Sequence, residues 1–300
     1  MPELPEVETI RRGLKKHILG KKITKIDILK PKLVKNSIKS FREILIGSAF
    51  QDIQRIGKLL IFELSIPSNK LKTKNISVPA KKFLLVHLKM TGQLIWQKGE
   101  EKIMGGHYEP HQKNEFPNKY SHIIFNFEDG GTLFYNDLRQ FGYLMTVSRA
   151  ELEKIRGKYG IEPGTSEYLW ENFREKLVKH HKMILKSFLL NQQIIAGLGN
   201  IYVDEACFRS GLLPTRKIEN INEIEAKLLF KNIREIINES IKMGGTTFRN
   251  YRDAFGGKGN FTDKLQVYGL ENIPCKKCGT LIKKIKLAGR GTHFCPHCQK

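Results

Sequence analysis

Cys275-Lys276-Lys277-Cys278 and Cys295-Pro296-His297-Cys298 close the chain, with 16 residues between the two pairs. Each C-x-x-C places two thiolates on one knuckle, and two knuckles at this spacing complete a tetrahedral site. Four thiolates fill every coordination position, so they imply one structural Zn2+ with no place left for water. His293 and His297 stand nearby as bystanders. Lys276, Lys277, Lys283, Lys284, Lys286, Arg290 and Lys300 share this segment with no Asp or Glu. Two metal-tied strands of that charge suit the phosphate backbone of DNA. Arg290, in Gly289-Arg290-Gly291-Thr292, falls at the turn, where a side chain reaches outward. The alternative is a solvated basic ribbon that contacts protein.

The same bias runs through the whole chain. Its 300 residues carry 52 Lys and Arg against 30 Asp and Glu, a net charge of +22. An excess of that size favours a polyanion, nucleic acid before an anionic membrane. No apolar run is long enough for a membrane span, and Glu3, Glu6, Glu8, Arg11 and Arg12 interrupt any signal-peptide core. Four of the five cysteines lie in the final segment, which suits a metal site in a reducing, cytoplasmic setting rather than a disulfide framework. Cys207 is left over and is expected to be a buried small residue.

At the other end stands Met1-Pro2-Glu3-Leu4-Pro5-Glu6. Once Met1 is removed, Pro2 offers a secondary α-amine with a reference pKa of about 8, against about 10.4 for lysine. The unprotonated fraction can attack an electrophilic carbon and form a Schiff base, and Glu3 beside it can move protons. Pro5 fits the first turn of a helix. Val7, Ile10, Leu14 and Ile18 follow at spacings of 3, 4 and 4, one apolar stripe, and Gly20 is a plausible stop.

Strands are predicted over 23–29, 56–64, 83–88, 123–127, 132–135 and 143–147, with Glu128-Asp129-Gly130-Gly131 as a hairpin turn. Two polar stretches, 65–82 and 99–121, are predicted as exposed loops. Beyond 147 the pattern turns helical, with helices expected over 151–159, 168–177, 183–191, 202–210 and 223–243. Asn222 with Glu225 caps the last of these, and Gly244 follows it. Gly197-Leu198-Gly199-Asn200 is a tight turn whose amides could face a phosphate. Gly256-Gly257-Lys258-Gly259 lacks the Walker sequence and suggests a flexible cover over a pocket.

Four motifs, in order, carry a resemblance: Pro2-Glu3-Leu4-Pro5-Glu6, Gly197-Leu198-Gly199-Asn200-Ile201-Tyr202, Leu265-Gln266-Val267-Tyr268-Gly269 and the four-cysteine finger. Together the chain resembles the bacterial formamidopyrimidine-DNA glycosylases along nearly its whole length. Leu4 favours this branch over the related endonuclease VIII branch, where Gly is usual. The resemblance implies an α+β multidomain fold: an N-terminal two-sheet β-sandwich over 1–150, a helix–two-turn–helix domain over 151–262, and a zinc finger over 263–300, with DNA in the cleft between. It implies a monomeric base-excision-repair glycosylase and AP lyase with no organic cofactor. Its partner would be double-stranded DNA bearing oxidised purines or abasic sites. Such enzymes flip the base out of the duplex.

By the same resemblance, Pro2 corresponds to the nucleophile at C1′ and Glu3 to the acid that assists sugar opening. Lys58, in Arg55-Ile56-Gly57-Lys58, corresponds to the catalytic lysine at a strand start. Arg290 corresponds to the finger arginine assigned to the second elimination. The Schiff base then allows β- and δ-elimination. Met90, Arg139 and Phe141 match the side chains that fill the hole left by the base; an apolar side chain can wedge a base step and an Arg can pair with the orphaned cytosine. His87, His122, Lys182, Lys186 and Asn200 match phosphate-binding positions.

The chain departs from the family pattern in four places. Gln140 stands where Arg or Lys is common, so its contact to a phosphate carries no charge. Lys89 replaces a usual small residue, Leu270 replaces a frequent Arg, and the basic stretch 71–82 is longer than usual. Two other functions remain open on residues alone: an endonuclease VIII-like glycosylase for oxidised pyrimidines, and a zinc DNA-binding protein without catalysis. Met90, Arg139 and Phe141 speak against the first. Pro2, Glu3 and Lys58 speak against the second.

Overall fold

Pro5 starts a helix because its missing N–H falls where a helix leaves its first amides unpaired. In the computed structural model that helix, α1, runs over Leu4–Ile18. The structure describes residues 2–67, 81–107, 115–246, 251–252 and 261–300. The basic stretch as far as residue 80 and the Gly256–Gly259 loop lie outside the described residues.

The chain divides into two compact units, Met1–Gly157 with Gly244–Gly259, and Lys158–Met243 with Asn260–Lys300. In the first unit two antiparallel sheets pack face to face. One is ordered β1(Ile23–Ile28), β7(Ser121–Phe127), β8(Thr132–Asp137), β5(Gly92–Lys98), β6(Glu101–His107), β10(Tyr251–Arg252). The other is ordered β2(Ala49–Ile56), β3(Leu59–Ser65), β4(Lys82–His87), β9(Tyr143–Ser148). Alternation along each strand turns Leu60, Phe62, Leu84 and Val86 of one sheet towards Leu94, Trp96, Phe125 and Tyr135 of the other. The α1 stripe of Val7, Ile10, Leu14 and Ile18 joins the same core. Each such side chain contributes about 1.5–3 kcal/mol by leaving water. Two further helices, α2(Ile38–Leu45) and α3(Arg149–Arg156), complete the unit.

Several expected boundaries move. The strand expected over 56–64 is broken at its start: Ile56 ends β2, Gly57-Lys58 is a two-residue turn, and Leu59 begins β3. Gly57 takes φ +53, the left-handed conformation this turn requires. Strands β2 and β5 and helix α2, capped by Ser37, were not foreseen. The loop expected over 99–121 contains β6. Its Gly105-Gly106 marks close approach, not a turn. A Cβ on Gly105 would come 2.6 Å from Ile10 Cγ1, and one on Gly106 2.4 Å from the Gly92 carbonyl. The boundary expected near 150 falls later, after α3, because Leu152 is buried and α3 packs on β4 and β9.

The second unit is helical: α4(Trp170–Lys179), α5(Leu185–Leu190), α6(Asn200–Arg209) and α7(Glu223–Lys242). Tyr168 stacks on Phe230 at 4.5 Å between centroids, and Phe173 and Phe188 meet edge to face beside them. Asn222 caps α7 and Glu225 returns the bond, as predicted. The finger hairpin is β11(Lys283–Leu287) and β12(Arg290–Phe294). Its turn residues Ala288 and Gly289 have φ +51 and +70. Among the described residues no helix is long and apolar enough to cross a membrane.

Candidate active site and nucleic-acid interface

Strand register gathers the first group of residues. β4 pairs with β9 at His87–Tyr143, and β5 pairs with β8 at Gly92–Asp137. Loops 88–91 and 138–142, which carry the chain between the two sheets, therefore emerge side by side. The Lys58 turn lies at the same end, because Leu59 also pairs with His87. Met90 from one loop and Arg139 from the other meet, with Arg139 Nη1 3.1 Å from Met90 Sδ. The Arg139 guanidinium lies 4.7 Å from the centre of the Phe141 ring. Phe141 is 54% exposed, a large apolar side chain projecting into solvent. Gln140 sits at the crest of the turn with φ +56.

Asp137, which sequence analysis did not single out, holds this arrangement. It is fully buried. Its carboxylate accepts hydrogen bonds from Thr91 Oγ1 and from the Gly142 amide at 2.7 Å. Thr91 Oγ1 in turn accepts the Arg139 amide at 2.9 Å.

Both histidines are held below the ordinary imidazole range. Burial, with the charges of Lys89 and Lys58, pushes His87 down to about 3. Its Nδ1 accepts the Lys89 amide at 3.0 Å, which leaves the ring proton on Nε2. His122 was expected at a phosphate. It is instead buried, and its Nε2 donates to the Asp137 carbonyl at 2.8 Å. Burial lowers its pKa too.

Pro2 and Glu3 are buried at the start of α1. Glu6 ties them down: its Oε2 accepts the Glu3 amide at 2.9 Å, and its Oε1 accepts the Thr246 amide and hydroxyl at 2.9 and 3.1 Å. Gly245, at φ +87, has no room for a side chain, since a Cβ would stand 2.8 Å from Glu6 Oε1. Glu6 lies three residues after Glu3, the capping-box spacing, which signals the bond to the Glu3 amide but not those to Thr246.

In the second unit Lys182 and Arg290 are exposed. Lys186 corrects its expected phosphate role. It is fully buried, with Nζ 2.7 Å from Asp204 Oδ1 and 3.2 Å from the Gly291 carbonyl. Asn200 opens α6 and donates to that same carbonyl at 2.9 Å, while its buried Oδ1 has no hydrogen-bond partner among the described residues. In the Gly197–Asn200 turn, the Gly197 amide is already bound to Gln192 Oε1 at 2.9 Å. Glu205, also not foreseen, accepts the amides of Gln266, Val267 and Tyr268, so a buried carboxylate shapes that motif.

The four cysteines come together as expected, with all Sγ atoms within 4.8 Å of one another. Cys278 and Cys295 are 3.5 Å apart, and Cys275 and Cys298 4.0 Å. Tetrahedral Zn–S bonds of ~2.3 Å require S···S spacings of ~3.8 Å. The cluster fits one structural zinc. Cys207 is buried in α6, away from that cluster's ligand set.

Three family models match the chain: the formamidopyrimidine-DNA glycosylase N-terminal domain over residues 1–144, the H2TH domain of the same enzymes over 159–252, and the zinc finger found in FPG and IleRS over 272–300. The formamidopyrimidine-DNA glycosylase of Streptococcus mutans is 37% identical over 302 residues, covering 100% of both chains. That of Streptococcus pneumoniae serotype 4 is 39% identical and covers 100% of this chain and 99% of its own. Among solved structures, the Lactococcus lactis Fpg bound to DNA with an abasic site superposes with TM-score 0.82 at 37% identity, covering 99% of each chain. MutM in complex with carbocyclic 8-oxo-G DNA does so with TM-score 0.83 at 36% identity, covering 100% of each.

Proposed function

The chain belongs to the formamidopyrimidine-DNA glycosylase family, and from that membership we propose how its own residues carry out the reaction. It is a base-excision-repair glycosylase for oxidised purines in duplex DNA, with AP lyase activity. Pro2 is the nucleophile. Its secondary amine attacks C1′ of the damaged nucleotide, the bond to the base breaks, and Glu3 supplies the proton that opens the sugar. The resulting Schiff base acidifies C2′, so loss of that proton expels the 3′ phosphate, and a second elimination expels the 5′ phosphate. Lys58 and Arg290 attend the phosphates beside the lesion. Met90, Arg139 and Phe141 fill the space the flipped base leaves, and Arg139 pairs with the orphaned cytosine.

Lys182, His87, Asn200 and Gln140 meet phosphates, the last three through uncharged donors. Zinc supplies folding free energy to the finger and no chemistry. The enzyme acts as a monomer in the cytoplasm.

The observation that supports this most is the meeting of Met90, Arg139 and Phe141 on two adjacent loops at the Lys58 end of the sandwich. Borohydride reduction tests the covalent step on a duplex with 8-oxoguanine opposite cytosine. The processed enzyme should be trapped through the Pro2 nitrogen. Equal trapping of protein that retains Met1 would defeat the assignment. Pro2→Gly is a poor control, because glycine also offers a terminal amine.

A further inference from the structure

We infer that Asp137 is a positioning residue that holds the orphan-base reader in place before DNA binds. The inference rests on the proposed role of Arg139 and Phe141.

A fully buried carboxylate is costly unless donors surround it. The Asp137 carboxylate is surrounded. Two of its donors, Thr91 Oγ1 and the Gly142 amide, come from the two loops that form the wedge. A third, Tyr135 Oη, lies at 3.4 Å beneath them. The bonds form a chain. The Arg139 amide donates to Thr91, and Thr91 donates to Asp137. Loop 138–142 is thus pinned on both sides of Gln140-Phe141, at the Arg139 amide and at the Gly142 amide.

The loop has little room to adapt otherwise. Gly142 admits no side chain, since a Cβ would collide with Tyr135 Oη and approach the His87 carbonyl to 2.7 Å. Gln140 holds the left-handed conformation at φ +56 without being glycine. A non-glycine residue keeps that conformation only where the bonds around it hold it there. The Asp137 main-chain carbonyl also takes the His122 ring proton. One residue therefore sets the wedge loop and the tautomer of a neighbouring histidine. Preorganisation of this kind removes the ordering cost that a mobile arginine would meet on reaching the orphaned base.

The test is the ratio of single-turnover excision rates for 8-oxoguanine opposite cytosine and opposite adenine. A purely structural loss lowers both rates together and leaves the ratio alone. Thr91→Val removes the link and should reduce the ratio about tenfold, the worth of one buried hydrogen bond. Thr91→Ser, which keeps the hydroxyl, should restore it, and Asp137→Asn should resemble Thr91→Val. Arg139→Ala separates the premise from the inference. If Arg139→Ala collapses the ratio while Thr91→Val and Asp137→Asn leave it unchanged, the positioning role is wrong and the reading role stands. If Arg139→Ala leaves the ratio unchanged, the reading role falls and this inference falls with it. Should Asp137→Asn fail to fold, amide exchange in Thr91→Val decides. Faster exchange at Arg139 and Gly142 supports the pinning, and unchanged exchange overturns it.

Discussion

Lys186 Nζ lies 2.7 Å from Asp204 Oδ1, and both side chains are fully buried. Asp204 Oδ2 accepts the His293 amide at 2.9 Å, and Lys186 also donates to the Gly291 carbonyl. This ion pair therefore fastens the β12 end of the finger hairpin, next to Arg290, onto α5 and α6. Lys186→Met leaves the buried Asp204 carboxylate without its cation, and should cost about 3–5 kcal/mol. The double variant Lys186→Met/Asp204→Leu should recover much of that loss. Denaturant midpoints measure both. If Lys186 met a phosphate directly, its loss would also lower the salt slope of DNA binding by about 1; the expected slope is unchanged.

His87 makes stability depend on pH. Burial, then the charges of Lys89 and Lys58, depresses it from 6.5 to about 3. The folded state thus binds fewer protons than the unfolded state between those values. Stability from His87 is complete above pH 6.5 and is lost as pH falls towards 3. In His87→Gln that part of the pH slope should vanish. Because His87 is neutral at pH 7, the same variant should weaken DNA binding without altering its salt slope. A smaller slope in His87→Gln would show that the ring is charged when DNA is bound.

Gly245→Ala tests the anchorage of the terminus. The new methyl would stand 2.8 Å from Glu6 Oε1, at a backbone φ of +87. It should loosen Glu6 from Thr246 and cost roughly 1–3 kcal/mol. Borohydride trapping should slow in proportion more than DNA affinity falls. Equal losses in both would place the effect outside the Pro2 and Glu3 geometry.

Lys89 stands in the left-handed region at φ +51, in the loop that carries Met90. Its side chain is exposed. Replacement by glycine should relieve about 1 kcal/mol of backbone strain. The thermal midpoint of Lys89→Gly should therefore rise. A fall would mean that the lysine side chain contributes more than its backbone costs.

Zinc removal should unfold the finger, since four thiolates at bonding distance from one point repel or protonate without a metal. Cys295→Ser should weaken DNA binding for the same reason. The expected content is one zinc per chain. Fully active protein without zinc would refute the structural role.

Short-range features were legible in the sequence. The four-cysteine spacing, the α1 stripe, the Asn222 cap and most of the strands each depend on residues a few positions apart. The periods of helix and strand and the geometry of one metal impose them locally. Pro2, Glu3, Arg290 and the cysteines could be read from their own chemistry; the other site residues were legible only by resemblance, since nothing within a few positions of Met90 points to Arg139. The tertiary structure decided what depends on register and close approach. Gly105-Gly106 resembles a loop signal until Ile10 and Gly92 are seen against it. Lys186 resembles a phosphate ligand until Asp204 is found beside it, 18 residues further on. Asp137 shows its role only when two strand pairings place Thr91, 46 residues away, within bonding distance. A buried charge is defined by the partners the fold brings to it, and those partners lie far apart along the chain.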